Sequence, residues 1–297
     1  MRDASHPSKV CPRRLIVTAD DFGLAEEINE AVEMAHRQGI LSAASLMVAG
    51  PAAADAIARA RRMPKLRVGL HLVLLEEKPV LPPADIPGLV DGSGRMRRDL
   101  VRLAFELARS KRLRSQLREE IEAQFAAFIA SGLRLDHVDV HKHYHLHPIV
   151  GRVVIAASRR HGAPAVRVPA EPQSVIRRIE NRRTTAASVA LASWASLLRW
   201  QVRGAGLLAP DAVFGLTWSG ELTDRRLLAL LRHLPRGVNE IYTHPAVKDR
   251  FCGSAEGYRY SEELNALCAA EVLAQVSRSR LDPVGYSDVA DGRIAGR

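Results

Sequence analysis

Short apolar runs alternate with amphipathic stretches along most of the chain. In the first pair, the run RRLIVTADDFG (13–23) ends in two acids and a glycine, as a buried strand followed by a turn would. The residues that follow place apolar side chains at helical spacing before Gly39, namely Leu24, Ile28, Ala31, Val32 and Ala35. The pattern therefore predicts a strand, a loop and a helix in that order.

The same rhythm recurs to the end of the chain. The further strand-like runs are ILSAASLMVAG, KLRVGLHLVLL, LRLDHVDVH, AVRVPAE, AVFGLTWSG and VNEIYTHPA. Helical patterns cover about 51–63, 98–130 and 261–278, Pro148 opens another helix, and Thr223 is the expected N-cap of one more. About seven such units favour a distorted (β/α) TIM-like barrel, an α/β fold. We expect residues 1–297 to form it as a single domain.

A histidine-rich tract, DHVDVHKHYHLHP, spans residues 136–148. If it were extended throughout, alternation would place one set of side chains on a single face, namely His137, Asp139, His141, His143, His145 and His147. Imidazole and carboxylate are the usual donors for zinc and similar divalent ions, so the tract predicts a metal site. A polar strand end facing water and an incidental histidine-rich segment remain alternatives.

Chemically capable residues also stand at the ends of several other predicted strands, where a parallel barrel gathers its chemistry at one mouth. The set found at or just after strand ends is Asp20, Asp21, His71, Asp139, His141, Arg167 and His244. Two histidines and one carboxylate can hold a divalent metal and leave positions open for water and substrate. Such convergence favours a metal-dependent active site over a solvated histidine tract.

Five of these residues also have an ordinary structural interpretation. Asp20 or Asp21 could cap the helix that follows. His71 and His244 could be buried core histidines, and Arg167 could be a surface arginine. In the catalytic interpretation, Arg167 orients a carboxylate and keeps it ionised, while His244 donates a proton to a leaving group.

The composition restricts which binding partners and which cellular compartment are expected. The formal net charge of +10 implies an anionic partner or surface, but zinc-finger, RNP-like and helix-turn-helix patterns are absent, so nucleic acid is not expected. Three scattered cysteines favour reduced thiols in the cytoplasm. The basic N-terminus lacks the apolar core of a secretory signal, and the uncharged run 184–198 is shorter than the roughly 20 residues of a membrane span.

Five ordered motifs, TADDFG, GLHL, HVDVHKHYH, VRVPAE and YTHPA, resemble those of the YdjC-like carbohydrate deacetylase family. The resemblance covers most of the chain and implies a distorted (β/α) barrel that removes N-acetyl groups from amino sugars. It also implies one divalent metal, zinc or magnesium, held by Asp21, His71 and His141. By the same resemblance, Asp20 is the catalytic base and His244 the general acid.

The resemblance further implies a set of substrate-binding residues in these motifs and in the segment FGLTWSGELT, namely Asp139, His143, His145, Glu171 and Trp218. The chain departs from the family pattern beside the ligands. Leu74 and Leu75 stand where Leu-Thr is frequent, Val140 replaces a serine, Lys142 replaces a histidine, and Ala246 replaces the glycine after His-Pro. These departures bear on substrate fit more than on metal binding.

Within the family, FGLTWSGELT and a basic, tryptophan-bearing helical insertion at about 175–206 are most similar to the branch associated with hopanoid biosynthesis. That resemblance implies a glycolipid substrate of the N-acetylglucosaminyl bacteriohopanetetrol type and a cytoplasmic enzyme in peripheral contact with the inner membrane. Apolar residues with an arginine rim suit a bilayer surface or an apolar part of the substrate. The same segment could instead be an ordinary core-facing helix.

Two other functions remain open at the level of the sequence. One is deacetylation of soluble chito-oligosaccharides, which needs no lipid-facing insertion. The other is a non-catalytic metal-binding protein, which would bind several metal equivalents along HKHYHLH and have no use for Asp20, His71 or His244. The sequence makes no prediction of oligomeric state.

Overall fold

A computed structural model describes residues 13–181 and 186–294. Six parallel strands form one curled sheet in the order β4-β3-β2-β1-β6-β5. Their bounds are β1 Arg13–Phe22, β2 Ala43–Leu46, β3 Arg67–Leu72, β4 Leu135–Val140, β5 Ala212–Phe214 and β6 Gly237–Thr243. This parallel α/β architecture is consistent with the TIM-like barrel that the alternating pattern predicts.

Helices cover the outside of the sheet. Their bounds are α1 Glu26–Gln38, α2 Ala53–Arg61, α3 Leu100–Arg109, α4 Lys111–Ala130, α5 Pro148–Arg160, α6 Gln173–Ile179, α7 Ala186–Gly204, α8 Asp224–His233, α9 Tyr260–Cys268, α10 Ala270–Arg278 and α11 Tyr286–Ile294. In α1 the apolar positions of the predicted stripe are buried, which confirms the helical pattern. Residues 15–22 of β1 are buried without interruption, as expected for a parallel strand covered on both faces.

The run AVRVPAE, predicted as a strand, forms only isolated bridges. Arg167 donates its backbone N–H to Val138 in β4 at 2.9 Å, and Val213 in β5 donates to Ala170 at 3.1 Å. This segment therefore spans the two edges of the sheet without becoming a regular strand. Pro164 precedes the run and Pro169 lies within it, and a proline has no N–H to donate to a ladder.

Two helical regions are shorter than their patterns predict. The region 98–130 divides at Ser110, whose hydroxyl accepts from the backbone N–H of Leu113 at 3.1 Å and caps α4. The region 261–278 divides at Ala269, which has an extended backbone. Thr223 caps α8 as predicted, since its hydroxyl accepts from the backbone N–H of Arg226. Helix α11 was not predicted.

The segment 175–206 contains α6 and α7, while residues 182–185 lie outside the described part of the chain. Helix α7 buries Ala195, Leu198 and Val202, yet Trp194 is 51% exposed and Trp200 72% exposed. The helix is therefore only partly a core helix. That it is an insertion relative to other family members stays a prediction. Among the described residues, no helix combines the length and apolarity that a membrane crossing requires.

The histidine tract is not extended throughout, and here the prediction was wrong. Strand β4 ends at Val140, and residues 141–146 form a 3-10 turn in which Lys142 and His143 have φ values of +54° and +55°. Left-handed backbone at two consecutive residues breaks the alternation of side chains. His137 and Asp139 still share a face of β4, whereas His143, His145 and His147 do not continue it.

Candidate active site

The carboxyl ends of the strands surround a cavity of about 630 Å³. Six of the titratable side chains that line it are Asp20, Asp21, His71, His141, His143 and His244. They come from β1, β3, the 141–146 turn and the end of β6, so residues far apart in the sequence meet at one mouth. The strand-end pattern predicts this gathering.

Asp20 and Asp21 are adjacent yet both line the cavity, because the end of β1 is irregular and departs from the alternation of a regular strand. The register shifts between Ala19 and Phe22, and Asp21 has a φ of +60°. Asn29 fixes the following turn by accepting the backbone N–H of Gly23 at 2.8 Å. The N-cap of α1 is Ala25, without a side-chain cap, so neither aspartate serves as the helix cap.

Asp21, His71 and His141 form a compact triangle of possible metal ligands. The Oδ1 atom of Asp21 lies 3.3 Å from both His71 Nε2 and His141 Nδ1, and the two nitrogens are also 3.3 Å apart. This oxygen is buried and has no hydrogen-bond partner within the described chain. Burial opposes its charge, but the two histidines outweigh burial and hold the pKa of Asp21 well below its usual range.

The spacing of the triangle fits a tetrahedral ion. Ligand bonds of about 2.0–2.1 Å in a tetrahedral zinc site place neighbouring ligand atoms about 3.3 Å apart. The same bond length in an octahedral magnesium site places them about 2.9 Å apart. The donor set of one carboxylate and two imidazoles, separated by 3.3 Å, therefore fits a divalent metal and matches zinc geometry more closely.

Arg167 is the centre of a buried ionic network beneath this triangle. Its side chain is 0% exposed, and its two terminal nitrogens donate to the two carboxylate oxygens of Asp20 at 2.6 and 2.8 Å. The same guanidinium contacts Asp139 and donates to Glu240 at 2.7 Å. The predicted pairing of Arg167 with Asp20 is present, and a surface position is excluded. The three carboxylates together hold the pKa of Arg167 well above its usual range, although burial acts in the opposite direction.

Asp139 connects the network to the triangle of possible metal ligands. Its Oδ2 atom lies 2.8 Å from His71 Nδ1, so it fixes the ring that presents Nε2 to Asp21 and His141. Burial raises the pKa of Asp139, but the charges of Arg167 and His71 lower it far more, which keeps the carboxylate ionised. Such outer carboxylates orient a ligating histidine and increase its basicity.

Asp139→Asn is expected to lower the metal affinity by about 10- to 100-fold because the amide orients His71 less firmly and leaves its imidazole less basic. The measurement is a competition titration of the metal against a chelator. His147→Gln is a suitable control, since this histidine of the same tract does not line the cavity. Equal affinities in wild type and Asp139→Asn would contradict the orienting role.

His244 follows β6 and also lines the cavity. Its ring packs edge-on against Tyr242 and Tyr258, with centroid distances of 5.6 and 5.2 Å, and its buried Nδ1 atom has no hydrogen-bond partner within the described residues. Glu263 of α9 accepts the backbone N–H of His244 and that of Leu222, which fixes the loop. Burial raises the pKa of Glu263, while the nearby His244 and the two amides act in the opposite direction.

Of the five residues expected to contact substrate, only His143 lines the cavity. Its Nε2 atom lies 3.1 Å from the hydroxyl of Tyr242, and burial together with Arg167 holds the pKa of His143 well below its usual range. At neutral pH the imidazole is therefore uncharged.

The other four residues do not line the cavity and make contacts within the scaffold, so their part in substrate binding stays a prediction. Asp139 is fully buried between His71 and Arg167. His145 is also fully buried, with Nε2 2.8 Å from the carbonyl oxygen of Arg167. Glu171 accepts backbone N–H groups of Gly215, Leu216 and Thr217 and shapes the loop after β5. Trp218 is 1% exposed and donates its indole N–H to Glu180 at 3.0 Å.

Several functional-site residues were missed in the sequence. Glu240 and Tyr242 alternate with His244 along VNEIYTH, so a buried strand with polar residues at every second position was an available signal. The charged rim is formed by Glu76, which pairs with Lys142, and by Glu77, which pairs with Arg95 at 2.6 Å. The loop 76–98 carries no periodic pattern that would have indicated this role.

A second hydrogen-bonded set resembles a serine triad but has no access for a substrate. His137 lies 2.9 Å from both Ser45 Oγ and Asp136 Oδ2, and all three side chains are at most 1% exposed. The ring packs so closely over β3 that a Cβ atom at Gly69 would lie 2.4 Å from it. This arrangement is an internal polar network that joins strands β2, β3 and β4.

Two comparisons place the chain among known sequences. The family described as YdjC-like protein matches residues 14–278. A protein of Brevibacillus brevis named carbohydrate deacetylase is 29% identical over 279 residues, covering 93% of this chain and 99% of the relative. A chitooligosaccharide deacetylase of Serratia marcescens is 36% identical over 151 residues, covering 50% of this chain and 57% of the relative.

The fold also has a counterpart among solved structures. A protein of Enterococcus faecalis described as a cellobiose-phosphate cleavage protein superposes with a TM-score of 0.75 at 24% identity. The match covers 94% of this chain and 99% of that one. At this level of identity the likeness supports the fold alone.

Proposed function

The chain belongs to the YdjC-like protein family, and from that premise we propose that it is a metal-dependent carbohydrate deacetylase that hydrolyses the N-acetyl group of an amino sugar. The observation that supports this most directly is the triangle of Asp21, His71 and His141 beside Asp20, with His244 lining the same cavity. In this proposal residues 1–297 act as one catalytic domain located in the cytoplasm.

The bound divalent ion, which we propose is zinc, would polarise the acetyl carbonyl and increase the acidity of a water molecule. As the oxygen of that water molecule attacks the carbonyl carbon, Asp20 accepts the proton that the water loses. Arg167 holds Asp20 through both carboxylate oxygens, so its orientation is fixed before substrate binds. His244 then donates a proton to the nitrogen as the carbon–nitrogen bond breaks, which gives acetate and a free amine.

For the substrate, we propose a lipid-linked N-acetylglucosamine of the hopanoid type. Support comes from the resemblance of the FGLTWSGELT segment and from Leu191 of α7, an exposed apolar residue at the edge of the cavity. Such a substrate is presented at a bilayer, so peripheral contact with the membrane belongs to the same proposal. The names of the relatives favour a second candidate, a soluble chito-oligosaccharide.

Acetate release by purified, zinc-loaded protein separates these functions. We expect release from N-acetylglucosaminyl bacteriohopanetetrol and less from diacetylchitobiose, with Asp20→Asn as the blank. Release of acetate from the soluble sugar alone would support the proposed deacetylase activity and exclude the lipid substrate. No release from either substrate by metal-containing protein would refute the deacetylase itself.

A further inference from the structure

Exposed apolar side chains are concentrated on two helices. The part of the chain that the structure describes has nine exposed large apolar residues, and seven of them lie on α3 or α7. On α3 they are Leu100, Val101 and Phe105, of which the last two are 66% and 62% exposed. The set on α7 is Leu191, Trp194, Leu197 and Trp200. Scattered single residues are normal on a protein surface, but clustering on two elements is not.

Both helices flank the mouth of the active site. The hydroxyl of Tyr144, in the turn that carries His141, lies 3.4 Å from the carbonyl oxygen of Leu100 at the start of α3. Helix α7 packs against the same turn. The cavity itself is lined by Leu191 of α7 and by Arg98, which lies two residues before α3. The apolar surfaces therefore begin at the rim of the cavity.

The geometry of α7 extends this surface outward. Its exposed apolar residues follow one another at three-residue intervals, so each is rotated by about 60° from the previous one. Leu191 lies at the cavity, and Trp194, Leu197 and Trp200 together span an arc of about 120°, which makes them one exposed face of the helix. Beside α3, an apolar groove of about 1090 Å³ contains Phe105 and is also bordered by Arg98.

The charge around α3 is positive. Its nearby acids, Asp99 and Glu106, both pair with Arg97 at 2.6 Å. Within the described chain, no carboxylate lies in salt-bridge contact with the neighbouring Arg98, Arg109 or Arg112. The chain as a whole carries a formal net charge of +10. Apolar side chains with arginines around them fit a surface that is both apolar and anionic.

We infer that the exposed faces of α3 and α7 form a membrane-docking surface that seats the mouth of the active site on an anionic lipid bilayer. Tryptophan suits the boundary between headgroups and acyl chains, and arginine stems can lie along that boundary with their charge toward the headgroups. Docking would bring a lipid-linked sugar to the cavity without removing it from the membrane. Only this last consequence rests on the proposed function, because binding to the bilayer does not depend on catalysis.

The test is co-sedimentation of the full chain with vesicles of phosphatidylcholine alone or with added phosphatidylglycerol. We expect binding to the anionic vesicles, reduced by salt, and a fall of roughly tenfold or more in partitioning for the combined variant Phe105→Ser, Trp194→Ser and Trp200→Ser. The matched control is Ile129→Ser with Leu273→Ser, which removes the two exposed apolar residues located elsewhere and is expected to bind like wild type.

Three outcomes would overturn the inference. The first is equal binding of the two variants, and the second is no binding of the wild type to anionic vesicles. The third is a dimer in solution that the three-site variant converts to a monomer, because the surface would then be covered by a second copy. Hydrolysis of diacetylchitobiose by the same variants is expected to equal wild type. If no substrate is hydrolysed at all, the proposed function fails while the vesicle result still decides docking.

Discussion

Asp21→Ala is expected to remove the bound metal and the activity together. Asp21 supplies the only carboxylate of the triangle with His71 and His141, and its Oδ1 atom is equidistant from both histidine nitrogens at 3.3 Å. Without it, two neutral imidazoles face a divalent cation that has lost its charged ligand. We expect the metal content to fall from about one equivalent to a trace, and kcat/KM to fall at least about a thousandfold, as a principal electrostatic contribution is lost.

Metal content is measured by elemental analysis of protein dialysed against a zinc buffer. His141→Ala should behave like Asp21→Ala, whereas His147→Ala is the matched control, because this histidine of the same tract does not line the cavity. A His141→Ala protein that is active without metal would overturn the ligand assignment. Loss of metal from His147→Ala to the same degree would instead indicate that the tract as a whole binds metal.

The sequence could predict that residues at the strand ends meet, because a parallel barrel gathers the carboxyl ends of its strands at one mouth. The proposed ligands Asp21, His71 and His141 each lie at or just after the end of a strand, and topology alone brings them to one mouth. The direction of the side chains beyond the strand could not be predicted in the same way. The alternation in the histidine tract assumes an extended backbone, and Lys142 and His143 adopt left-handed conformations that no periodic pattern indicates.

The distinction between a residue at the mouth and one beneath it also depends on long-range contacts. His145 and Trp218 stand in motifs associated with substrate, yet they pack into the scaffold, because burial is decided by elements far away in the chain. Glu240 contacts Arg167 although the two residues are 73 positions apart in the sequence. Polarity in a buried strand was the available signal for Glu240, but its partner could not be identified without the fold.

The buried ionic network around Arg167 also limits how the carboxylate of Asp20 can accept a proton. Asp20 is 2% exposed and has both oxygens on Arg167, so only its remaining lone pairs face the cavity. Arg167 also pairs with Asp139 and Glu240. Three carboxylates with different roles therefore depend on a single cation. Asp20 is the proposed base, Asp139 orients His71, and Glu240 is purely structural. A substitution at any one of the three carboxylates therefore changes the pairing of Arg167 as well as its own role.

Asp20→Asn is accordingly expected to keep the metal and lose turnover. The amide retains the shape of the carboxylate and leaves Asp21, His71 and His141 unchanged, so about one equivalent of metal should remain. It cannot accept the proton from water, and loss of a general base lowers kcat by about 10²- to 10⁴-fold. Because Asn also gives Arg167 a poorer partner, stability is expected to fall by about 1–3 kcal/mol.

Glu240→Gln separates these two effects. Glu240 accepts from Arg167 Nε and Nη2 at 2.9 and 2.7 Å but does not line the cavity, so this variant weakens the pairing of Arg167 without removing the proposed base. We expect a similar loss of stability with kcat within about tenfold of wild type. If Glu240→Gln lost as much turnover as Asp20→Asn, Asp20 would act only through Arg167, and the base would have to be sought elsewhere in the cavity.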